Sequence, residues 1–88
     1  MTSSRFETLT RRLRLYAHVN AYDLDALRAN LERPDNAEAR EAFRAQLDDL
    51  IATLALSRDA YEELTGESFD DDDDYRSALQ DIRATLFG

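Results

Sequence analysis

Apolar residues along this chain keep helical spacing from end to end. Phe6, Leu9, Leu13 and Tyr16 step by three, four and three, which is one stripe of an amphipathic helix. Ser4 with Glu7 three residues later reads as a capping box that would start this helix. The pattern fades around His18 to Asn20, where Val19, Asn20 and Tyr22 weaken helical preference. A second, shorter helix is predicted from Asp23, with Leu24, Leu27 and Leu31 as its stripe. Pro34 stops it, because the residue before a proline is pushed out of the helical region.

Pro34 also opens the clearest helix start in the chain. Asp35 or Asn36 is placed to cap it, and Glu38 and Glu41 suit its positive N-terminal end. Phe43, Leu47, Leu50, Ile51 and Leu54 form its expected core face, with Asp48 and Asp49 pointing elsewhere. A new start follows at Leu56-Ser57, with Ser57 as cap and Leu56 as a hydrophobic staple onto Tyr61. Tyr61 and Leu64 define a short helix ending at Thr65, and Gly66 takes the left-handed position after it. Beyond Glu67-Ser68-Phe69 and five Asp, the last stripe is Tyr75, Leu79, Ile82 and Leu86. The expected fold is all-α, a compact bundle of four to five helices with short connections, spanning residues 1–88 as one domain.

Size and composition narrow the function. A chain of 88 residues hides only ~60–65% of its unfolded surface on folding, which leaves little room for an enclosed catalytic cavity. Its 43% hydrophobic content argues against full disorder, and two Gly with one Pro argue against a many-stranded β fold. The absence of Cys excludes a disulfide scaffold or a thiolate zinc site. No run of 18 apolar residues exists, and the first residues lack the apolar stretch of a signal peptide, so a cytoplasmic protein is expected. Nineteen acids against eleven bases, all of them Arg, give a net charge of -8. That balance disfavours direct binding to DNA, RNA or anionic lipid and favours a basic protein partner.

Enzyme motifs are missing. Gly66 and Gly88 are the only glycines, so no phosphate-cradling loop can form. His18 is the only histidine, which rules out a two-histidine metal site; it reads as a helix C-terminal residue whose charge suits the dipole. No Ser lies in a strand-turn-helix nucleophile context. A non-enzyme with no cofactor and no metal is therefore expected. Asp70 to Asp74 invites a calcium reading, since acids fall at the first, third, fifth and last EF-hand positions. The sixth position, which needs Gly, is Tyr75, and the template fails there.

The charge is unevenly spread. Residues 1–33 hold six Arg against four acids (+2), residues 34–56 two against five (-3), and residues 57–88 three against ten (-7). One reading pairs an Arg stripe with an acid stripe inside the bundle. For Asp70, Asp71, Asp72, Asp73 and Asp74 the ordinary readings are helix capping and a solvated loop. Neither requires five carboxylates in succession, whose mutual repulsion an Arg- or Lys-bearing partner would relieve. Phe69 and Tyr75 flank the run, and Tyr61, Glu62 and Glu63 lie one helix back. Aromatic anchors among carboxylates suit a steered, tight interface with a basic protein. Against this, Tyr75 is in register with Leu79 and Ile82 as a core residue, which leaves Phe69 the better surface candidate. The expected partner-binding set is Tyr61, Glu62, Glu63, Phe69, Asp70 to Asp74 and Tyr75.

The order of features points to a family. Leu15-Tyr16-Ala17-His18 and Tyr22-Asp23 follow the first helix. The middle helix ends Gln46-Leu47-Asp48-Asp49-Leu50-Ile51, and Ser57-Arg58-Asp59-Ala60-Tyr61-Glu62-Glu63-Leu64 comes next. The chain closes with Tyr75-Arg76-Ser77-Ala78-Leu79-Gln80-Asp81-Ile82-Arg83. This resembles the small acidic immunity proteins of bacterial toxin systems, of the contact-dependent growth inhibition or colicin type. The resemblance implies an antidote that binds a cognate toxin domain, often a nuclease, and blocks it without chemistry of its own. Two alternatives stand beside it. One is a phage nucleic-acid mimic such as an anti-CRISPR protein; the other is a helical adaptor that dimerises through Leu47, Leu50 and Leu54.

Overall fold

The structure, a computed structural model, describes residues 5–20 and 22–88. Among these, five α-helices follow one another: α1 Glu7–Tyr16, α2 Leu24–Glu32, α3 Ala37–Thr53, α4 Arg58–Thr65 and α5 Asp72–Phe87. α1 lies against α3 and also meets α2 and α4, while α5 packs on α2 and α3. The radius of gyration is 12.2 Å, matching the ~12 Å of a fully compact chain of this length. The helical stripes are the core: Leu9, Leu13, Leu27, Leu31, Phe43, Leu47, Leu50, Leu79, Ile82 and Leu86 are all buried. Leu47 and Leu50 are fully enclosed, so the face assigned above to a dimerising adaptor is taken up inside the bundle.

Helix ends show where local sequence decides and where it does not. Asp23, Ser57 and Asp71 cap α2, α4 and α5, each accepting from the amide three residues on, those of Ala26, Ala60 and Asp74. α1 ends differently. Phe6 stands at its cap position with no capping bond, and the expected partner Ser4 lies outside the described residues. The Leu9 amide instead donates to Gln46 Oε1 of α3 at 2.8 Å, so a neighbouring helix satisfies the orphan group.

α2 does stop at Glu32, with Arg33 extended before Pro34. The chain then makes a 3-10 turn over Pro34–Asn36, and Asn36 caps nothing ahead of it. Its side-chain amide turns back and donates to the Asn30 carbonyl at 2.8 Å, closing the end of α2. Leu54 also departs from expectation. It terminates α3 in the left-handed region (φ 50), a conformation that costs a branched side chain ~1–2 kcal/mol. Arg76 Nε donates to the nearby Ile51 carbonyl at 2.9 Å, a cap supplied by α5.

Asp48 and Asp49 face away from the core but are not idle. Asp49 accepts from two Arg5 nitrogens at 2.7 and 2.8 Å, and Asp48 accepts from Arg83 Nε at 2.6 Å. Hydrogen bonding to Arg5 holds the Asp49 carboxyl below its ordinary value. These ties run from the chain start and from α5 to α3, while Arg11 pairs with Glu7 within α1. Arg5 and Arg11 thus pair with acids of α3 and α1, and of the acids in the last third only Asp72 has an ion-pair partner among the described residues.

Gly66 closes α4 with φ +81, donating to the Glu62 carbonyl. A Cβ at this position would stand 2.9 Å from Val19 Cγ2, because the Val19 amide is drawn onto the Thr65 carbonyl at 2.8 Å. Gly66→Ala is expected to cost ~1–2 kcal/mol through the left-handed backbone. At about 4–8 °C per kcal/mol for a domain of this size, a thermal melt should fall by ~4–16 °C.

Candidate functional site

The junction of α4 and α5 is built on three aromatic rings. Tyr61 of α4, Phe69 of the connection and Tyr75 of α5 contact one another pairwise, with centroids 5.2 to 5.8 Å apart; Phe69 and Tyr75 are stacked. The Tyr75 hydroxyl donates to the Leu56 carbonyl at 2.9 Å, tying the start of α5 to the segment before α4. Tyr61 and Tyr75 are buried and Phe69 is half-buried. This corrects the sequence expectation for the aromatics. Tyr61 and Tyr75 cannot touch a partner, because each ring completes the core, and Phe69 packs inward on both. Their carboxylate neighbours in sequence reflect where the chain surfaces, not where the rings point.

Burial pushes the Tyr61 phenol well above its ordinary value, with Glu67 adding to the rise; burial, then Asp72, does the same for Tyr75. The sign follows: a phenol held protonated in the fold contributes stability that is complete below ~pH 10, the unfolded value, and lost as pH rises past it. Because the chain has neither Lys nor Cys, tyrosine is the side chain that titrates between pH 8 and 11. Urea midpoints are therefore expected to fall between those pH values, and Tyr61→Phe should reduce the fall.

The five aspartates divide by role. Asp71 caps α5 through the Asp74 amide at 2.8 Å, and Asp72 pairs with Arg58 Nε at 3.0 Å. Arg58 also donates to the Phe69 carbonyl at 3.2 Å, so one guanidinium pins the connection to its own acidic turn. Asp70, Asp73 and Asp74 are exposed and have no ion-pair partner among the described residues. Asp73 and Asp74 occupy the first turn of α5, where a carboxylate gains ~0.3–1 kcal/mol from the helix dipole at low salt. Both side chains are exposed, beside the packed aromatic rings.

Glu62 and Glu63 are both exposed but part company. Glu62 follows Arg58, which pairs with Asp72, by one turn on the same side of α4. Glu63 lies on the other flank, lining a shallow groove between α1 and α4 with Phe6, Thr10, Arg14, Leu56, Ala60 and Leu64. Leu56, expected as a staple on Tyr61, contributes its side chain to this groove and its carbonyl to Tyr75. His18 lies beyond the end of α1, and its Nδ1 accepts from the Asn20 amide at 3.1 Å, shaping the turn there.

No group of three or more acidic or histidine side chains is placed to hold a metal ion among the described residues. Nor is any described helix long and apolar enough to cross a membrane. Sequence reasoning passed over three large apolar side chains that the fold leaves in solvent: Leu15 (64% exposed), Val19 (50%) and Tyr22 (53%). All three fall off every helical stripe, which is the signal that would have found them. Compared with known protein families, with curated proteins and with solved structures, the chain matches none.

Proposed function

We propose that this protein is a small acidic binding domain that occupies a basic surface of a protein partner, in the manner of a toxin-immunity protein covering a nuclease domain. One observation carries the reading. The fold uses two of the five consecutive aspartates, Asp71 and Asp72, and leaves Asp70, Asp73 and Asp74 exposed without a counter-charge among the described residues. They form an anionic surface beside the packed rings of Tyr61, Phe69 and Tyr75, suited to steering and orienting a cationic partner. The protein acts by occlusion, with no cofactor and no reaction of its own.

Capture from the native host tests this. The tagged protein should retain a basic protein, and added in excess to that protein it should block its activity. If duplex or single-stranded DNA displaces the captured protein from its partner, the nucleic-acid-mimic reading replaces occlusion of a toxin. A retained protein that is acidic, or whose activity is unchanged when saturated, would contradict the proposal.

A further inference from the structure

The outer side of α1 carries a face whose chemistry is opposite to that of the acidic turn. Among the described residues, Arg12, Arg14 and Arg76 are the arginines without a carboxylate partner. Arg76 is engaged on the Ile51 carbonyl. Arg12 and Arg14 both belong to α1, where Arg12 reaches the Asn30 side chain at 3.4 Å. Glu7, the acid of this helix, is already taken by Arg11 at 2.9 Å. Leu15 stands among them, 64% exposed. It lines two shallow hollows, one shared with Arg11 and Arg14, the other with Arg11 and Arg12. A single exposed leucine is ordinary, but here it is set among cations that no acid of the fold answers.

The complement of this face is on the same chain. Asp70, Asp73 and Asp74 are exposed without an ion-pair partner among the described residues, and the half-buried Phe69 immediately precedes them. Carboxylates next to part of an aromatic ring match guanidiniums next to a leucine, charge to charge and apolar to apolar. We propose that the Arg12, Arg14 and Leu15 face of one copy takes the acidic turn of a second copy, in a head-to-tail contact. An arginine fork binds a carboxylate through two nitrogens, as Arg5 does on Asp49. Each copy carries -8, which opposes approach at long range. At ~0.15 M ionic strength that repulsion is screened beyond ~8 Å, and the charges in contact decide. The two patches are small, so the association is weak and reversible. A copy seated in this way covers the acidic turn, and a basic partner must compete for it. The contact needs only the unanswered charges, so its failure leaves the proposed function standing.

Sedimentation velocity of the full chain, from micromolar to millimolar concentration, tests it. At ~0.15 M salt the mean mass should rise with concentration, and it should return toward one chain at ~1 M, where screening reaches ~3 Å. A single chain is 10.1 kDa. Two variants remove one surface each: Arg14→Gln with Leu15→Gln, and Asp70→Asn with Asp73→Asn and Asp74→Asn. Glutamine has helix propensity close to that of Arg and Leu, so α1 is kept. Each variant alone should stay monomeric. An equimolar mixture should form a pair and go no further, because the first variant keeps the turn and the second keeps the α1 face. A parent chain that is monomeric throughout, association that survives high salt, a variant that associates alone as the parent does, or a mixture that stays monomeric would overturn the proposal.

Discussion

Replacing Tyr75 with alanine is expected to lower the unfolding free energy by ~3–5 kcal/mol, the range for deleting a large buried aromatic side chain. The ring is fully buried, contacts both Tyr61 and Phe69, and carries the only tie from α5 to the Leu56 carbonyl among the described residues. Against a total stability of about 5–15 kcal/mol for an ordinary domain, that loss is a large share. The melting temperature should drop by at least ~12 °C. Tyr75→Phe separates ring from hydroxyl. It keeps the stacked contacts and loses one hydrogen bond, an expected cost of ~0.5–1.5 kcal/mol. Urea unfolding of both variants checks this; a mild effect of Tyr75→Ala would mean that the ring is not the structural support described here.

The acidic turn should respond in the opposite way. Converting Asp70, Asp73 and Asp74 together to Asn is expected to leave stability within ~1 kcal/mol of the parent. Lost dipole interactions of Asp73 and Asp74 are offset by relief of like-charge repulsion. Partner affinity should nevertheless fall at least ~10-fold, chiefly through slower association, and the remaining binding should depend less on salt. Binding kinetics at low and moderate salt read both effects. An unchanged association rate would show that these carboxylates face only water. Asp71 and Asp72 are kept out of this variant because the helix cap and the Arg58 pair depend on them.

The fold was legible because the force that builds it is the force that spaces its apolar residues. Leu9 with Leu13, Phe43 with Leu47 and Leu50, and Leu79 with Ile82 and Leu86 are each read off one face of a helix, and each is buried. Caps made within three residues, at Asp23, Ser57 and Asp71, were legible or nearly so for the same local reason. What escaped depends on groups distant in sequence. Gln46 closes α1 from 37 residues away, Arg76 closes α3 from 25, and Asn36 faces backward to α2. The site divides along the same line. The exposure of the Asp run follows from its charge, but the direction of Tyr61 and Phe69 is set by the packing of α4 against its neighbours. Tyr22 was read as a weak helix residue, and its exposure follows from how the segment after α1 closes onto Thr65.

Occupation of a basic partner by the acidic turn is most directly tested by amide hydrogen exchange on the complex with the protein captured from the host. Slowed exchange is predicted over residues 70–76 and around Glu62, with little change in the groove between α1 and α4. A footprint confined to that groove, around Phe6, Arg14 and Glu63, would contradict it.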